Sequence, residues 1–215
     1  MPDSREPSAR ASLLRRHPRV VVAVVLLAVL AVVVGAMGGW GRTAPEGLRV
    51  AEPGELLAAA PFEISLTDAE ATYEVAGDVA DEGLAYVVIE GTVSLVGPGS
   101  VERTVLAEAF AADLESTYNY FGGAEKEGAP TTVTVAEDGS ELLGVGPGLN
   151  YDVLLVWEID ERAVPSMTTV TLRKHTWRPF FLDKIEGWFD PEGVVRVDLD
   201  VAPLPDQRPV EEDLL

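Results

Sequence analysis

The sequence predicts an all-β fold, an antiparallel β-sandwich preceded by one N-terminal transmembrane helix. Two observations predict the sandwich: about seven short segments alternate apolar and polar residues, and Gly- or Pro-rich turns separate them with no alternating helices. A third predicts the helix. The run Val20-Val-Val-Ala-Val-Val-Leu-Leu-Ala-Val-Leu-Ala-Val-Val-Val34 carries no charge, and Gly35 to Trp40 extends it. At 1.5 Å per residue, about 21 residues reach roughly 31 Å, the thickness of a bilayer's hydrocarbon core. Valine favours strands in water. In lipid a lone strand leaves its amides unpaired, so a single spanning segment must be helical.

Taken in order, residues 1–19 are a basic, Pro- and Ser-containing head with too little apolar surface to fold. Arg5, Arg10, Arg15, Arg16 and Arg19 precede the apolar run, whereas only Arg42 and Arg49 follow it closely. This bias places the N-terminus in the cytoplasm and the body outside. Residues 20–40 are the signal-anchor helix and contact membrane lipid, with Trp40 at the outer headgroup level. A rival reading is a cleaved signal peptide, since Val34-Gly35-Ala36 offers small residues at a possible processing site. It makes the protein secreted. The chain has no cysteine, which excludes a lipid-modified lipoprotein N-terminus, disulfides and zinc-thiolate sites.

Residues 41–60 read as a tether interrupted by Pro45, Gly47, Pro53 and Gly54, with one helical turn expected at Leu56 to Ala60. Residues 61–202 form the extracytoplasmic domain. Phe62, Ile64 and Leu66 start the alternation, and Ala71 to Val75 continues it. Leu84 to Val96 is the clearest strand; Gly91 within it predicts a bulge or the close approach of another backbone. Gly97-Pro-Gly-Ser100 turns the chain, and Val101 to Leu106 is expected to return as a strand. Ala107 to Tyr118 has the composition of a short surface helix, with Phe110 and Leu114 at i, i+4 spacing. Thr131 to Ala136 and Glu141 to Val145 flank a tight turn at Glu137-Asp-Gly-Ser140. Tyr151 to Ile159 is apolar on both faces and so should be a central strand. Met167 to Thr176 follows. Asp190-Pro-Glu-Gly193 has the composition of a type I turn before the one-face-wet strand Val194 to Val201. Residues 203–215 alternate proline with charge, and the expectation is a disordered acidic tail.

Several of these stretches resemble a known group. The strand Leu84-Ala-Tyr-Val-Val-Ile-Glu-Gly-Thr-Val-Ser94, the Gly146-Pro-Gly148 turn, Tyr151 to Pro165 and the closing Trp188-Phe-Asp-Pro191 are similar to exported or membrane-anchored actinobacterial proteins. The group is the telokin-like one of small secreted proteins with an immunoglobulin-like domain. The resemblance covers about Phe62 to Val201 and implies an immunoglobulin-like antiparallel β-sandwich at the cell envelope. It implies no common activity. The Ala107 to Pro130 insertion departs from a minimal sandwich and leaves strand order there open.

Charge excludes other classes. The body has 11 Lys and Arg against 34 Asp and Glu, a net −23, so neither nucleic acid nor anionic lipid finds counter-charge on it. His17 and His175 are the chain's two histidines, and no HExxH, GxSxG, P-loop or GxGxxG motif occurs. No catalytic residue and no cofactor is therefore expected. Asp78, Asp81 and Glu82, or Asp198 and Asp200, have the oxygen chemistry for calcium but not an EF-hand spacing, and a solvated loop and a wet strand face account for them.

The unusual stretch is Arg173-Lys-His-Thr-Trp-Arg-Pro-Phe-Phe181, followed by Lys184, Trp188 and Phe189. Four of the body's 11 cations fall within these twelve residues. Strand alternation predicts that Arg173, His175 and Trp177 share a face, which with Lys174 and Arg178 makes a candidate partner-binding surface. The plainer explanation is that the cations neutralise nearby carboxylates while Trp177, Phe180, Phe181, Trp188 and Phe189 close the core. The functional expectation is a membrane-anchored, non-catalytic binding or accessory module that docks on another envelope or membrane protein. Its alternative is a ligand- or cell-wall-polymer-binding domain, and a carboxylate-dependent hydrolase is the remotest.

Overall fold

The structure is a computed structural model and describes residues 47–97, 99–114, 117–118, 124–125, 128–180 and 185–208. The expected head and membrane helix lie outside these residues. Among those described, no helix is long and apolar enough to cross a membrane.

The chain forms β1 (Arg49–Ala51), β2 (Leu57–Ala59), β3 (Phe62–Thr72), β4 (Glu74–Val75), β5 (Asp78–Val79), β6 (Leu84–Leu95) and β7 (Val101–Glu102). Then come α1 (Arg103–Glu108), β8 (Phe110–Ala112), β9 (Thr117–Tyr118), β10 (Ala124–Glu125), β11 (Thr132–Val135), β12 (Gly144–Val145) and β13 (Asn150–Asp160). The last two strands are long: β14 (Met167–Pro179) and β15 (Glu186–Ala202). Among the described residues nine strands form one curled hydrogen-bonded sheet in the order β11-β13-β6-β3-β15-β14-β8, with β1 added to β15 and β2 to β3. Curling stacks two layers, β11-β13-β6-β3-β2 against β1-β15-β14-β8. The fold is a β-sandwich.

Two pairings depart from an all-antiparallel arrangement. β1 runs parallel to β15, and the end of β15 runs parallel to β3 through Val201↔Ala69 and Ala202↔Glu70. β15 pairs with β14 along most of its length, takes β1 at Val195–Val197, and crosses to β3 at its tip.

One core fills the space between the layers. Phe62, Ile64 and Leu66 of β3, Val87, Ile89 and Val93 of β6, and Val153, Leu155 and Trp157 of β13 meet Val170 and Leu172 of β14 and Val195, Val197 and Leu199 of β15. Trp157 is wholly buried, and its indole N–H donates to the Gly128 carbonyl at 3.0 Å, so its one polar atom is satisfied. The expected central position of this strand holds, since β13 lies between β11 and β6. Its other face is also covered: Val75, Val88 and Val156 form a second small cluster outside the sandwich, against Tyr86 and Leu154.

Four local expectations change. The stretch around Leu56 to Ala60 is strand, not a helical turn, because Leu57 and Ala59 point into the core while Ala58 faces out, a period of two. Residues 47–60 thus supply β1 and β2 to the sheet and are not all tether. The helix begins at Arg103, where a returning strand was expected, and the residues assigned to a helix supply β8 at Phe110–Ala112 instead. Phe110 and Leu114 are both buried in the core, so their spacing reflects packing and not a helical stripe. Glu137 to Ser140 is the expected turn, closed by the Ser140 N–H donating to the Asp138 carboxylate at 2.9 Å. The returning arm stays with β11 only as far as Leu142, whose N–H donates to the Val133 carbonyl at 2.9 Å; beyond it Gly144–Val145 pairs with Val101–Glu102. Residues 203–208, placed in the tail, are held by Arg208, whose guanidinium donates to the carbonyls of Ala80, Asp81 and Leu84 and lies 4.6 Å from the centre of the Tyr73 ring. Residues 209–215 lie outside the described set.

Gly91 carries the close approach expected of it. A Cβ there would stand 2.5 Å from the Ser65 carbonyl oxygen and 2.9 Å from Leu66 Cδ2, beside the register shift between Leu66 and Ala69 on β3. Gly91→Ala should cost about 1–3 kcal/mol, the usual penalty of overpacking a rigid interior. Urea denaturation of the wild type and variant measures it; equal midpoints would show that β3 yields without cost.

Candidate functional site

The candidate surface lies on β14 and β15, and register decides which of its side chains are available. In the body of the sheet Thr168, Val170 and Leu172 point inward. The pairing then shifts twice, between Leu172 and Arg173 and between Lys174 and Thr176. A shift of one residue sends the following side chains to the opposite face. His175, three residues after Leu172, is consequently the next inward residue. Arg173, His175 and Trp177 therefore do not share a face, which corrects the alternation expected from the sequence: His175 is buried and Trp177 is 52% exposed.

The same shifts explain Asp190 to Gly193. They are not a turn; they run within β15, with Asp190 at φ 56° absorbing the irregularity. Past the end of β14 the Phe180 N–H donates to the Ile185 carbonyl at 2.7 Å, so the two chains are still bonded there. From Thr176 to Pro179 and from Glu186 to Phe189, the described strand pairings are solely of β14 with β15. This part is a two-stranded ribbon leading away from the sheet.

Aromatic rings and one ion pair stiffen the ribbon. Trp177 sits opposite Trp188 in register, and the rings meet edge to face at 5.2 Å between centres. Phe180 stacks on Phe189 at 5.6 Å. Arg178 donates two hydrogen bonds to the Asp190 carboxylate, at 2.6 and 3.0 Å, while its guanidinium lies 4.9 Å from the centre of the Phe189 ring. That pairing lowers the Asp190 carboxyl below its ordinary range and raises Arg178. Lys174 pairs with Glu192 at 3.2 Å. Lys174 and Arg178 are thus each paired with a carboxylate in place. The aromatics do otherwise than close the core: Trp188 rests partly against it, while Trp177 faces solvent. Phe181 and Lys184 lie outside the described residues.

His175 is a packing residue. Its side chain has no exposed surface, its nearest carboxylate oxygen is that of Glu108 at 3.7 Å from Nε2, and neither ring nitrogen has a hydrogen-bond partner among the described residues. Its backbone N–H donates to the Ala60 carbonyl at 2.6 Å, tying the base of the ribbon to the end of β2. Burial pushes the imidazole below its ordinary pKa; the Glu108 carboxylate opposes this, and Arg173 adds to it.

Among the described residues no group of three or more His, Asp or Glu side chains is placed to hold a metal ion. Asp198, a calcium candidate in the sequence, accepts a hydrogen bond from the Thr169 hydroxyl at 2.7 Å. A concavity of about 380 Å³ does lie on the outer face of β11 and β13, lined by residues that no motif had joined: Val75, Asp78, Tyr86, Thr132, Thr134 and Val156 among them. They come from four separate segments, so only the strand alternation of Thr132 and Thr134 away from buried Val133 hinted at it.

No protein-family model matches the chain, and no curated protein matches it in sequence. Similar solved structures include an uncharacterised β-sandwich protein of Clostridium difficile, with a TM-score of 0.47 and 13% identity, covering 74% of this chain and 97% of that one. The YcdA protein of Bacillus subtilis gives a TM-score of 0.39 at 10% identity over 70% of this chain and 39% of its own length. The YjhA protein of the same species gives 0.32 at 16% identity over 69% of this chain and 98% of its own.

The burial of His175 sets a pH dependence. A histidine whose folded pKa lies below its unfolded value of about 6.5 leaves the fold fully stable above that pH, and stability falls as pH drops from there towards the folded pKa. The slope in that window is at most about 1.4 kcal/mol per pH unit. His175→Leu should remove this component, so its urea midpoint should fall less than that of the wild type between pH 7.5 and 5.0. Parallel loss in both proteins would mean that His175 is protonated without cost in the fold.

Proposed function

We propose that the protein is a non-catalytic binding or accessory module, displayed outside the cell on a membrane anchor at residues 20–40, that docks on another envelope or membrane protein through the β14–β15 ribbon. The immunoglobulin-like variant of the sandwich and the likeness to telokin-like exported proteins belong to the same proposal. The observation that carries it is Trp177, a large aromatic side chain 52% exposed on a ribbon that rings and an ion pair hold in one conformation. Exposed aromatic anchors concentrate binding energy at interfaces, and a surface already rigid loses little entropy when it binds. Electrostatics favours a protein partner over an anionic membrane, because the ribbon's cations are neutralised by Glu192 and Asp190 and the body carries a net −23.

Reversing the charges of Lys174 and Arg178 would break the ribbon's own ion pairs, so Trp177 is the cleaner probe. A photoreactive phenylalanine analogue placed at Trp177 of the full-length protein in its native membranes should crosslink to one protein. The same group at Leu143, 70% exposed and outside the ribbon, should not. Trp177→Ala should weaken the association by about 30-fold, the effect of a residue contributing about 2 kcal/mol. Equal crosslinking from both positions, or none from Trp177, would remove the ribbon from the interface.

A further inference from the structure

The outer-face cleft is built from four segments. Thr132 and Thr134 of β11 and Val156 of β13 form its floor; Val75, Ala76 and Asp78 of the β4–β5 hairpin form one wall; Gly139 and Glu141 form the other, and Tyr86 of β6 completes it. Gly139 is required where the walls meet. It adopts φ +70°, and a Cβ there would stand 2.6 Å from that of Ala76. The cleft, open to solvent on one side, has a volume of about 380 Å³, within the range of small-molecule sites.

Its lining combines apolar and acidic side chains. Val75 and Val156 belong to the small apolar cluster outside the sandwich. Asp78 and Glu141 supply carboxylates, and none of the described residues that line the cleft is a lysine or arginine. Glu141 is paired with Arg103 from outside the lining, which leaves Asp78 as the unneutralised charge. Thr134 is only 6% exposed, yet its hydroxyl has no hydrogen-bond partner among the described residues. A buried hydroxyl without a partner is an unmet cost, removed when a ligand supplies the missing bond. Negative potential extends beyond the lining. Burial raises the Tyr86 phenol, and the charges of Glu158, Asp78 and Asp81 raise it further. Burial, with Asp81, also raises the Glu158 carboxyl. The same side of the fold already holds one cation, since Arg208 is bound by three carbonyls, the Tyr73 ring and Glu161 at 3.6 Å.

We propose that this cleft binds a small organic cation, an ammonium group on a short aliphatic chain. Asp78 provides the counter-charge, the Thr134 and Tyr86 oxygens accept hydrogen bonds from the ammonium, and Val75 and Val156 cover the chain. A bare divalent ion does not fit this arrangement, because no three ligating side chains converge among the described residues. An anion would face the Asp78 and Glu141 carboxylates with no lysine or arginine in the described lining to offset them.

The test is titration of the full-length protein, in non-ionic detergent, with n-pentylammonium chloride at constant ionic strength, followed by methyl NMR. The expected result is saturable shifts at Val75, Thr134 and Val156. Asp78→Asn should weaken binding at least tenfold, and the near-isosteric Thr134→Val severalfold. Asp200→Asn, on the outward face of β15, should leave it unchanged, as should Trp177→Ala on the ribbon. Tetramethylammonium, which has no N–H, should bind more weakly. Shifts that stay linear with concentration, that appear outside the cleft, or that survive Asp78→Asn in a folded variant would each overturn the assignment.

Discussion

The arrangement depends on β15 serving both layers of the sandwich. Val195, Val197, Leu199 and Val201 point inward and Arg196, Asp198 and Asp200 outward, so a one-residue slip of the strand would bury charge. Held in that register, it pairs with β14 along one edge and, along the other, with β1 and through its last two residues with Ala69 and Glu70 of β3. A strand that closes one layer onto the other does the work of a cross-link in a chain that has no cysteine. The core then needs no disulfide, because Trp157, Phe62 and Phe110 fill the interior between layers already joined by backbone hydrogen bonds.

The same strand generates the ribbon. β15 runs 17 residues and β14 runs 13, more than their neighbours can cover, so their far ends pair with each other alone. Extra residues had to be absorbed where the sheet ends. They appear as the two register shifts and the positive φ of Asp190, and they turn His175 inward while leaving Trp177 out. Ion pairs at this point neutralise rather than attract. An acidic body with exposed cations would draw in its own carboxylates, and Glu192 and Asp190 lie near enough in register to reach Lys174 and Arg178.

Where the signal was one strand's periodicity, the sequence was enough. β3, β6, β13 and the second half of β15 could be read from alternation, and Gly91 from the rule that a glycine inside a strand marks a close approach. Reading failed where tertiary context overrode local preference. Ala107 to Leu114 has helical composition, but Phe110, Ala111 and Ala112 are drawn flat against Val170, Thr171 and Leu172 because the edge of β14 needed a partner. Leu57 and Ala59 lie among prolines and glycines that suggested a tether, and three paired residues are too few to show a period. The shared face of Arg173, His175 and Trp177 failed for another reason. A register shift depends on the partner strand and leaves no trace in the alternation of the strand that carries it.

The outer-face cleft was illegible for a related reason: its polar groups are unremarkable singly. Thr134 sits in an ordinary β-favouring run, Asp78 in a two-residue strand that reads as loop in the sequence, and Tyr86 in a strand whose buried neighbours account for its composition. What joins them is the β4–β5 hairpin folding back over Val88 and Val156, a consequence of β13 and β6 being apolar on both faces. A strand with two apolar faces must have both covered. The core covers one, and the small hairpin covers only part of the other, so a space remains between the hairpin and the turn at Gly139. Ribbon and cleft thus have opposite origins, an excess of strand in one layer and an incomplete cover on the other. Because β14 and β15 form one and β4, β6, β11 and β13 the other, a ligand in the cleft and a partner on the ribbon need share no side chain.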